Sequence, residues 1–271
     1  MKKRVLLVSI CVVSLVLVFG LTSFAQETGK DALDLVVERG KLLVSTELGN
    51  APWTFEDPKT GEITGFTTEL VRMYAKEIGV ELEVKTFDWA GVIPALTTGK
   101  VDMVAAPLSR TMPRSLKILY CEPYIIDPGV GYALKGKFKD ISELNKKGIV
   151  ITTTAGSIHE NMAKELFPEA TILPLPTIAD TTAAVQSARA DVSLSSKIVS
   201  EGIVQTNPNL EIIPGYTFMD SFACAVRFDS FKLWTSFNMF MRMIKLDGRY
   251  AQLYKKWLGI EWKPTSIETA L

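Results

Sequence analysis

The chain has 271 residues, of which 47% are hydrophobic and 22% are charged, a globular composition that allows one large or two medium-sized domains. Basic and acidic residues both number 30. Because no basic stripe is present that could release counterions from phosphates, we expect no nucleic-acid partner.

The first 25 residues have the pattern of a secretory signal peptide. Basic residues at positions 2–4 precede an apolar run from Val5 to Leu21, and the small residues Ser23 and Ala25 stand where a peptidase cuts. We predict cleavage after Ala25, which leaves a net charge of about −3 on the mature chain. The alternative is an uncleaved anchor, although the run is short for a membrane span. The pattern predicts a periplasmic or secreted protein.

Cysteine usage leaves one question open. Cys121 and Cys224 would enter an oxidising compartment, where they could form a disulfide or remain two buried thiols. Cys11 follows Ile10, where a lipoprotein signal has Gly or Ala, so we do not expect a lipid anchor there.

The first half of the mature chain alternates short apolar runs with helical patterns, which predicts a parallel sheet with crossover helices. A polar lead-in over residues 26–38 comes first, and residues 57–61 form a tight turn. Thr67 is predicted to cap a helix that Gly79 ends. We expect strands at 41–46, 81–87 and 101–106 and helices at 67–78 and 92–98.

A second alternating set begins after Tyr124, where residues 127–129 (DPG) lead into a new strand at 130–134. It contains predicted strands at 149–153, 171–175 and 192–194 and predicted helices at 158–167, 180–189 and 197–205. A strand at 222–226 and helices at 231–246 and 250–258 then return to the first unit. We therefore predict an α/β fold of two lobes joined by two crossing strands: lobe 1 over 39–126 plus 221–262, lobe 2 over 127–220, and a tail over 263–271.

Residues 105–114 carry the strongest signal for a binding site. A strand ends there, and Thr111 caps a short helix with Arg114 in its first turn. The carboxyl ends of parallel strands, beside the N–H groups of a helix start, favour anion binding. The guanidinium of Arg114 could grip a carboxylate with two parallel hydrogen bonds. The alternative is that Arg114 makes a surface ion pair and Ser109 only ties down the loop.

Other candidates follow strands on the same expected rim. Glu47, Trp53 and Trp89 would offer an acid and aromatic walls to a ligand with an apolar body and a positive group. The loop of Ala155, Gly156 and Ser157 is a second possible nest of N–H donors, and Ser195 and Ser196 end a later strand; helix capping explains both equally well. Each tryptophan alone is more often core than pocket.

Taken together and in order, these segments resemble the family 3 bacterial extracellular solute-binding proteins, receptors of ABC importers. The resemblance runs from about Arg39 to Gly259. It rests on Ser109 with Thr111 and Arg114, and on these segments: 51–55 (APWTF), 65–66 and 69–70 (GF and EL), 93–96 (IPAL), 99–102 (GKVD), 122–124 (EPY), 189–191 (RAD) and 254–259 (YKKWLG).

The resemblance implies a monomeric receptor whose lobes close over an amino acid or related small carboxylate, with a membrane permease as partner and no cofactor. In that family the arginine matching Arg114 binds the ligand carboxylate, helped by N–H groups at Ser109 and in the loop matching residues 155–157. Positions matching Glu47, Trp89, Ala106 and Pro107 line the pocket. The implied hinge lies near residues 124–128 and 219–221.

Three positions depart from that family pattern. Ser196 stands where an aspartate usually pairs with the ligand ammonium, Thr67 stands where an aspartate is common, and Pro107 stands where glycine is usual. An unpaired buried cation would cost several kcal/mol. The ligand is therefore expected to be an atypical amino acid, or a carboxylate whose nitrogen lies elsewhere or is missing, unless Glu47 takes the role.

An enzyme is the second reading of the sequence, because a dehydratase branch acting on prephenate-like acids shares the fold. His159 and Glu160 could then serve as acid or base. Against this, the position of His159 in an amphipathic helix predicts an exposed side chain. No metal site, P-loop or nucleophile elbow occurs in the sequence. The sensor module of a membrane receptor would need a transmembrane helix and a signalling domain after residue 271, so we prefer a free-standing receptor.

Overall fold

The computed structural model describes residues 30–263, so the predicted signal peptide, Cys11 and residues 264–271 lie outside it. Its helices are α1 (Ala32–Arg39), α2 (Phe66–Glu77), α3 (Trp89–Thr97), α4 (Met112–Ser115), α5 (Ile158–Leu166), α6 (Ile178–Gln186), α7 (Lys197–Thr206), α8 (Phe231–Leu246) and α9 (Arg249–Leu258). Its strands are β1 (Lys41–Thr46), β2 (Phe55–Glu56), β3 (Ile63–Thr64), β4 (Glu81–Thr86), β5 (Met103–Ser109), β6 (Leu119–Leu134), β7 (Val150–Thr154), β8 (Thr171–Leu175), β9 (Val192–Ser196), β10 (Leu210–Ile212) and β11 (Met219–Val226). The predicted two-lobed α/β architecture is confirmed.

The sheet of lobe 1 has the strand order β4-β1-β5-β11-β6. Strand β1 is parallel to β4 and β5, and β11 returns antiparallel to β5 and β6. Strand β5 is buried along its whole length because helices cover both faces of the sheet, as its continuous run of apolar and small residues predicts. The core on one face is rich in rings, including Trp53, Phe66, Tyr74 and Phe237.

The sheet of lobe 2 has the order β8-β7-β9-β6, with β10 on the outer side of β6. Strand β7 is parallel to β8 and β9, whereas β6 is antiparallel to β9 and β10. The carboxyl ends of β7 and β9 therefore lie on one rim; β7 leads into α5 through the loop of residues 155–157, and β9 leads directly into α7. This arrangement brings two helix N-termini to the edge that faces lobe 1.

Strands β6 and β11 connect the lobes. Residues 119–128 of β6 pair with β11, and residues 129–133 of the same strand pair with β9. The predicted break at residues 127–129 is therefore wrong, because β6 continues through Pro128 into lobe 2 as one strand of 16 residues. The boundaries between the lobes, placed between residues 126 and 127 and between residues 220 and 221, stay a prediction.

Two local predictions in lobe 1 need correction. Helix α2 begins at Phe66 with Gly65 as its N-cap, so Thr67 lies inside the helix and does not cap it. Gly65 has φ 122°, and a Cβ there would lie 2.3 Å from the carbonyl oxygen of Trp53, so only glycine fits this approach. Residues 32–38 of the predicted lead-in belong to α1, and Asp31 accepts hydrogen bonds from the backbone of Lys232 and Leu233 in α8.

Cys121 and Cys224 are both free and buried in lobe 1, which decides the open question in favour of two thiols. Burial raises the pKa of each thiol well above its ordinary value, so both are protonated at neutral pH.

Within residues 30–263, none of the helices combines the length and the apolar character that crossing a bilayer requires.

Candidate ligand-binding site

A cavity of about 50 Å³ lies between the two lobes. Lobe 1 lines it from the ends of β1 and β5, the start of α3 and the returning strand β11. Lobe 2 lines it from the ends of β7 and β9 and from the starts of α5, α6 and α7. The lining residues are Glu47, Asn50, Trp53, Trp89, Pro107, Ser109 and Phe222 from lobe 1, and Thr154, Ser157, Ile158, His159, Ile178, Leu194, Ser195, Ser196 and Val199 from lobe 2.

Seven of the predicted site residues line this cavity, namely Glu47, Trp53, Trp89, Pro107, Ser109, Ser157 and Ser196. Ala106 does not, because it is fully buried in the sheet and its carbonyl oxygen accepts a hydrogen bond from Tyr124 Oη at 2.9 Å. Arg114, Ala155 and Gly156 lie beside the cavity without lining it. Asn50 was not predicted as a site residue, although it follows Glu47 in the same loop. Phe222 was not predicted either; it lies in β11, the strand that returns from lobe 2 to lobe 1.

Arg114 bridges the two lobes at the edge of the cavity. Its Nη1 donates to the carbonyl oxygen of Ser109 in lobe 1, and its Nη2 donates to that of Gly156 in lobe 2, each at 3.1 Å. Its Cζ lies 5.8 Å from the ring centroid of Trp89, a cation–π contact. Burial lowers the pKa of Arg114, but a guanidinium stays charged in proteins. A positive charge is thus held at the cleft by carbonyl oxygens and an aromatic ring.

The loop at residues 155–157 does not offer the free N–H nest that the sequence suggests. The N–H of Ala155 donates to Leu175 O, that of Gly156 to Glu160 Oε2, and that of Ser157 to Thr154 O. Ser157 caps α5 through its side chain, which accepts from Glu160 N. Ile158 and His159, in the first turn of α5, line the cavity, and the N–H groups of a first helical turn have no intrahelical acceptor.

Glu47 is a buried carboxylate at the lobe 1 wall, with only 5% of its surface exposed. Asn50 Nδ2 lies 3.4 Å from its Oε2 and donates to it, while Glu47 Oε1 and Asn50 Oδ1 have no hydrogen-bond partner among residues 30–263. Burial raises the pKa of Glu47 from 4.5 to about 7, and the nearby charge of Asp88 adds to the effect. The wall therefore presents two acceptor oxygens, one of them on a group that ionises near neutral pH.

His159 is half-buried and borders the cavity, so its predicted exposure is wrong. The ring packs against Phe218 with centroids 5.3 Å apart, and Nδ1 has no partner in the described part of the chain. Burial, with a smaller effect from the charge of Arg114, lowers the pKa of His159 from 6.5 to about 4. The imidazole is therefore neutral at physiological pH.

Trp53 and Ser196 are both buried at the cavity. Trp53 is 0% exposed and meets Phe66 and Phe222 edge to face at 5.7 Å, so it belongs to the core and to the wall at once. Its Nε1 and the Oγ of Ser196, the residue before α7, lack hydrogen-bond partners within residues 30–263. Buried polar groups are normally paired, so a cluster of unpaired ones around one cavity is typical of a surface that binds a polar molecule.

The fold and the cleft together define a two-lobed α/β binding protein whose site lies between the lobes. The chain belongs to the bacterial extracellular solute-binding proteins, family 3, whose model matches residues 42–260.

Similar proteins match most of the chain. The ABC transporter glutamine-binding protein GlnH of Bacillus subtilis is 26% identical over 86% of this chain and 87% of its own length. The arginine-binding extracellular protein ArtP of Bacillus subtilis is 29% identical over 95% of this chain and 98% of its own. Among solved structures, the ancestral amino acid-binding protein AncCDT-1, a precursor of cyclohexadienyl dehydratase, superposes with a TM-score of 0.79 at 30% identity, over 83% of this chain and 99% of its own.

Proposed function

We propose that the protein is an exported receptor that captures an amino acid or a related small carboxylate between its lobes and delivers it to the permease of an ABC importer. The observation that carries the proposal is Arg114, whose guanidinium bridges Ser109 of lobe 1 and Gly156 of lobe 2 at the cleft. The glutamine-binding and arginine-binding names of the Bacillus subtilis relatives support an amino acid as ligand.

The chemistry of Arg114 suits a carboxylate. Its two hydrogen bonds go to neutral carbonyl oxygens, and a carboxylate that replaces one or both gains charge-assisted bonds that are shorter and stronger. A carboxylate that displaces the Gly156 carbonyl would remove the one of these two bonds that crosses between the lobes, so a bound ligand would hold the lobes together through its own contacts with both walls. Strands β6 and β11 connect the lobes, so the lobes would close by rotating about these strands. A bound ligand would then increase the population of the closed state.

The aromatic and polar walls suit a small amphipathic solute. Trp89, Phe222 and Ile178 provide apolar surface, while Trp53 Nε1 can donate and Ser196 Oγ can donate or accept a hydrogen bond. A small number of polar groups among apolar walls is typical of sites that bind small molecules.

A thermal-shift screen of amino acids and small organic acids tests the proposal. A true ligand at a hundred times its Kd should stabilise the protein by roughly 2.7 kcal/mol. Arg114→Ala should abolish the shift. Arg110→Ala, which removes an exposed arginine four residues away, is the matched control and should keep the full shift. Equal shifts in both variants, or no shift with any carboxylate, would contradict the proposed function.

Binding without catalysis is part of the proposal, and His159 is the residue that tests it. Its neutral, unpaired imidazole at the cavity could accept a proton, which is the requirement for a base in a dehydration. The chain lacks a second ionised acid or base beside it on the lobe 2 wall, where the other polar lining groups within residues 30–263 are hydroxyls. Incubation with prephenate and with arogenate should give no aromatic product; turnover that His159→Gln abolishes would show an enzyme.

Export, a monomeric state and a permease partner complete the proposal. The family is extracellular, and the N-terminal pattern predicts cleavage after Ala25. Protein purified from the fraction outside the cytoplasmic membrane should begin at Gln26. In light scattering it should have the mass of one chain, with or without ligand. A mature N-terminus at Met1, or a stable dimer, would contradict these points.

A further inference from the structure

Two opposite charges lie on either side of Ser109 at the edge of the cavity. The carbonyl oxygen of Ser109 accepts from Arg114 Nη1 at 3.1 Å, and its hydroxyl faces the carboxylate of Asp220. The second hydrogen bond of the guanidinium goes to the carbonyl oxygen of Gly156, so Arg114 and Asp220 attract each other without a direct bond. Because Ser109 lines the cavity, a positive and a negative group are held apart beside one residue of its wall.

Asp220 reaches this position on β11, the strand that returns from lobe 2 to lobe 1. Phe222 pairs with Ser109 of β5, so Asp220, two residues before Phe222, lies level with Thr111 just beyond the end of β5. Alternate residues of a strand face the same side, so Asp220 shares the face of Phe222, which lines the cavity. Asp220 is not itself a lining residue, but its neighbours Ser109 and Phe222 both are.

The carboxylate of Asp220 is buried and incompletely paired. Only 6% of its surface is exposed, and its Oδ1 accepts from Ser221 N at 2.7 Å. Its Oδ2 has no partner with hydrogen-bond geometry within residues 30–263. Burial raises the pKa of Asp220, while Ser109, the Ser221 N–H and the charge of Arg114 oppose that effect. An ammonium group at Oδ2 would supply both a counter-charge and a hydrogen-bond donor to this buried oxygen.

Glu47 is too distant to bind a nitrogen on the carbon next to a carboxylate held by Arg114. In the parallel pairing of β1 with β5, the register places Glu47 level with Ala106. The Ser109 carbonyl that accepts from Arg114 lies three residues further along β5, roughly 10 Å at 3.3 Å per residue. A single carbon separates the two charged groups of an α-amino acid, so its nitrogen stays at the Ser109 end.

The remaining acids near the cleft are placed no better. Asp127 of β6 accepts with both carboxylate oxygens from Ile198 N at the start of α7, so neither oxygen is unpaired. Asp88 is exposed and does not line the cavity. The described lining residues of lobe 2 include no carboxylate, and Ser196 contributes a hydroxyl there. Asp220 is therefore the acid whose position and unpaired oxygen suit an α-ammonium.

From this geometry we infer that Asp220, on the strand connecting the lobes, binds the α-ammonium of the ligand together with the hydroxyl of Ser109, while Arg114 binds the carboxylate. The ligand is then an ordinary α-amino acid with a free amino group, and the departure at Ser196 does not require an atypical one. Both charged groups of the ligand are bound from lobe 1 and β11, and lobe 2 adds neutral contacts. The inference rests on the proposed function and specifies its ligand.

Calorimetric titration with compounds that differ only in the α-amino group tests the inference. The twenty standard amino acids are ranked first. The tightest is then compared with the acid that lacks only its α-amino group, such as ε-aminocaproate for lysine or glutaramate for glutamine. We expect the amino acid to bind about tenfold or more tightly than this analogue, the factor expected for one charge-assisted hydrogen bond.

Three variants assign the preference to its residue. Asp220→Asn should reduce it to less than about threefold, because the amino acid loses its counter-charge and the analogue does not. Asp127→Asn is the matched control and should leave the preference intact, since it replaces the buried acid directly opposite Asp220 on β6 by the same amide. Ser109→Ala removes the hydroxyl that faces Asp220 and should lower the preference severalfold, which keeps the test open if Asp220→Asn does not fold. A change in the folded fraction affects both ligands equally and cancels in their ratio.

The outcomes separate the inference from the function on which it rests. An analogue that binds as tightly as its amino acid would overturn the inference, as would a preference that survives in both Asp220→Asn and Ser109→Ala. So would a screen in which none of the twenty amino acids binds and other carboxylates do. In each of these cases, loss of binding in Arg114→Ala would still support a carboxylate receptor. Binding that is equal in wild type and Arg114→Ala would contradict the proposed function itself.

Discussion

The burial of Glu47 has a measurable consequence for the ligand-free protein. Its pKa is about 7 in the folded state against an ordinary 4.5, because the buried carboxylate loses hydration. Between these two values the unfolded chain has released the proton while the folded chain still holds it. Stability is therefore lost as pH rises from about 4.5 through 7, and the loss amounts to about 3 kcal/mol at 1.36 kcal/mol per pKa unit.

Glu47→Gln removes this effect, because glutamine has nearly the same shape and no charge. The variant should match wild type at pH 4.5 and exceed it by up to about 3 kcal/mol at pH 8, or roughly 6–12 °C in melting temperature for a chain of this size. Other groups that titrate in this range, His159 and Asp127 among them, are present in both proteins and cancel in the difference.

Urea unfolding at four pH values between 4.5 and 8 measures the difference directly. Bound ligand must first be removed by unfolding and refolding, because a ligand that pairs with Glu47 would stabilise wild type alone. Asp88→Asn is the control: it removes a minor contribution to the raised pKa of Glu47 and keeps the buried carboxylate, so it should still show most of the wild-type loss of stability between pH 4.5 and 8. A constant difference between Glu47→Gln and wild type across the range would refute the reasoning.

Three further predictions concern the walls and core of the cleft. His159 has a pKa of about 4 in the folded protein against an ordinary 6.5, so the wild-type protein should lose unfolding free energy as pH falls through this window. In urea unfolding at pH 5, His159→Gln should lose less unfolding free energy than wild type. Equal losses in the two proteins would contradict the burial of His159 as a neutral ring. Gly65→Ala should destabilise the folded protein by at least about 2 kcal/mol more than Gly79→Ala. Both glycines have positive φ, but only at Gly65 would a Cβ lie against a backbone oxygen. Equal losses of stability in thermal unfolding would contradict that contact. Trp53→Ala should cost about 3–5 kcal/mol of unfolding free energy, and a cost below about 1 kcal/mol would show that its ring is not core.

The fold follows from sequence wherever one hydrophobic period dominates a segment. The observed strand Thr171–Leu175 and helix Phe231–Leu246 have the predicted limits, because turn residues or charges bound each apolar pattern. The missed features are those decided by tertiary contacts. Helix α1 is short, and Asp31 ties its start to α8 far along the chain. Strand β6 passes through an Asp-Pro-Gly segment that locally indicates a turn, because pairing with β11 and β9 holds it extended.

The site was partly predictable for a similar reason. Glu47 and Trp89 follow strand ends and Ser109 is the last residue of β5. The carboxyl ends of parallel strands meet on one rim, so strand positions alone bring these residues together. Phe222 and Val199 reach the cavity only through the return of β11 and the approach of lobe 2, which no local pattern records. The N–H groups of residues 155–157 were predicted to be free because a small-residue loop suggests a nest, but the side chain of Glu160 occupies one of them and backbone carbonyls the other two.

A crystal structure with the tightest ligand of the screen tests the central claim most directly. Both carboxylate oxygens of that ligand should lie within hydrogen-bond distance of the Arg114 guanidinium, with the molecule enclosed by residues of both lobes. A ligand whose carboxylate is bound elsewhere, with Arg114 still bonded only to Ser109 and Gly156, would contradict the account.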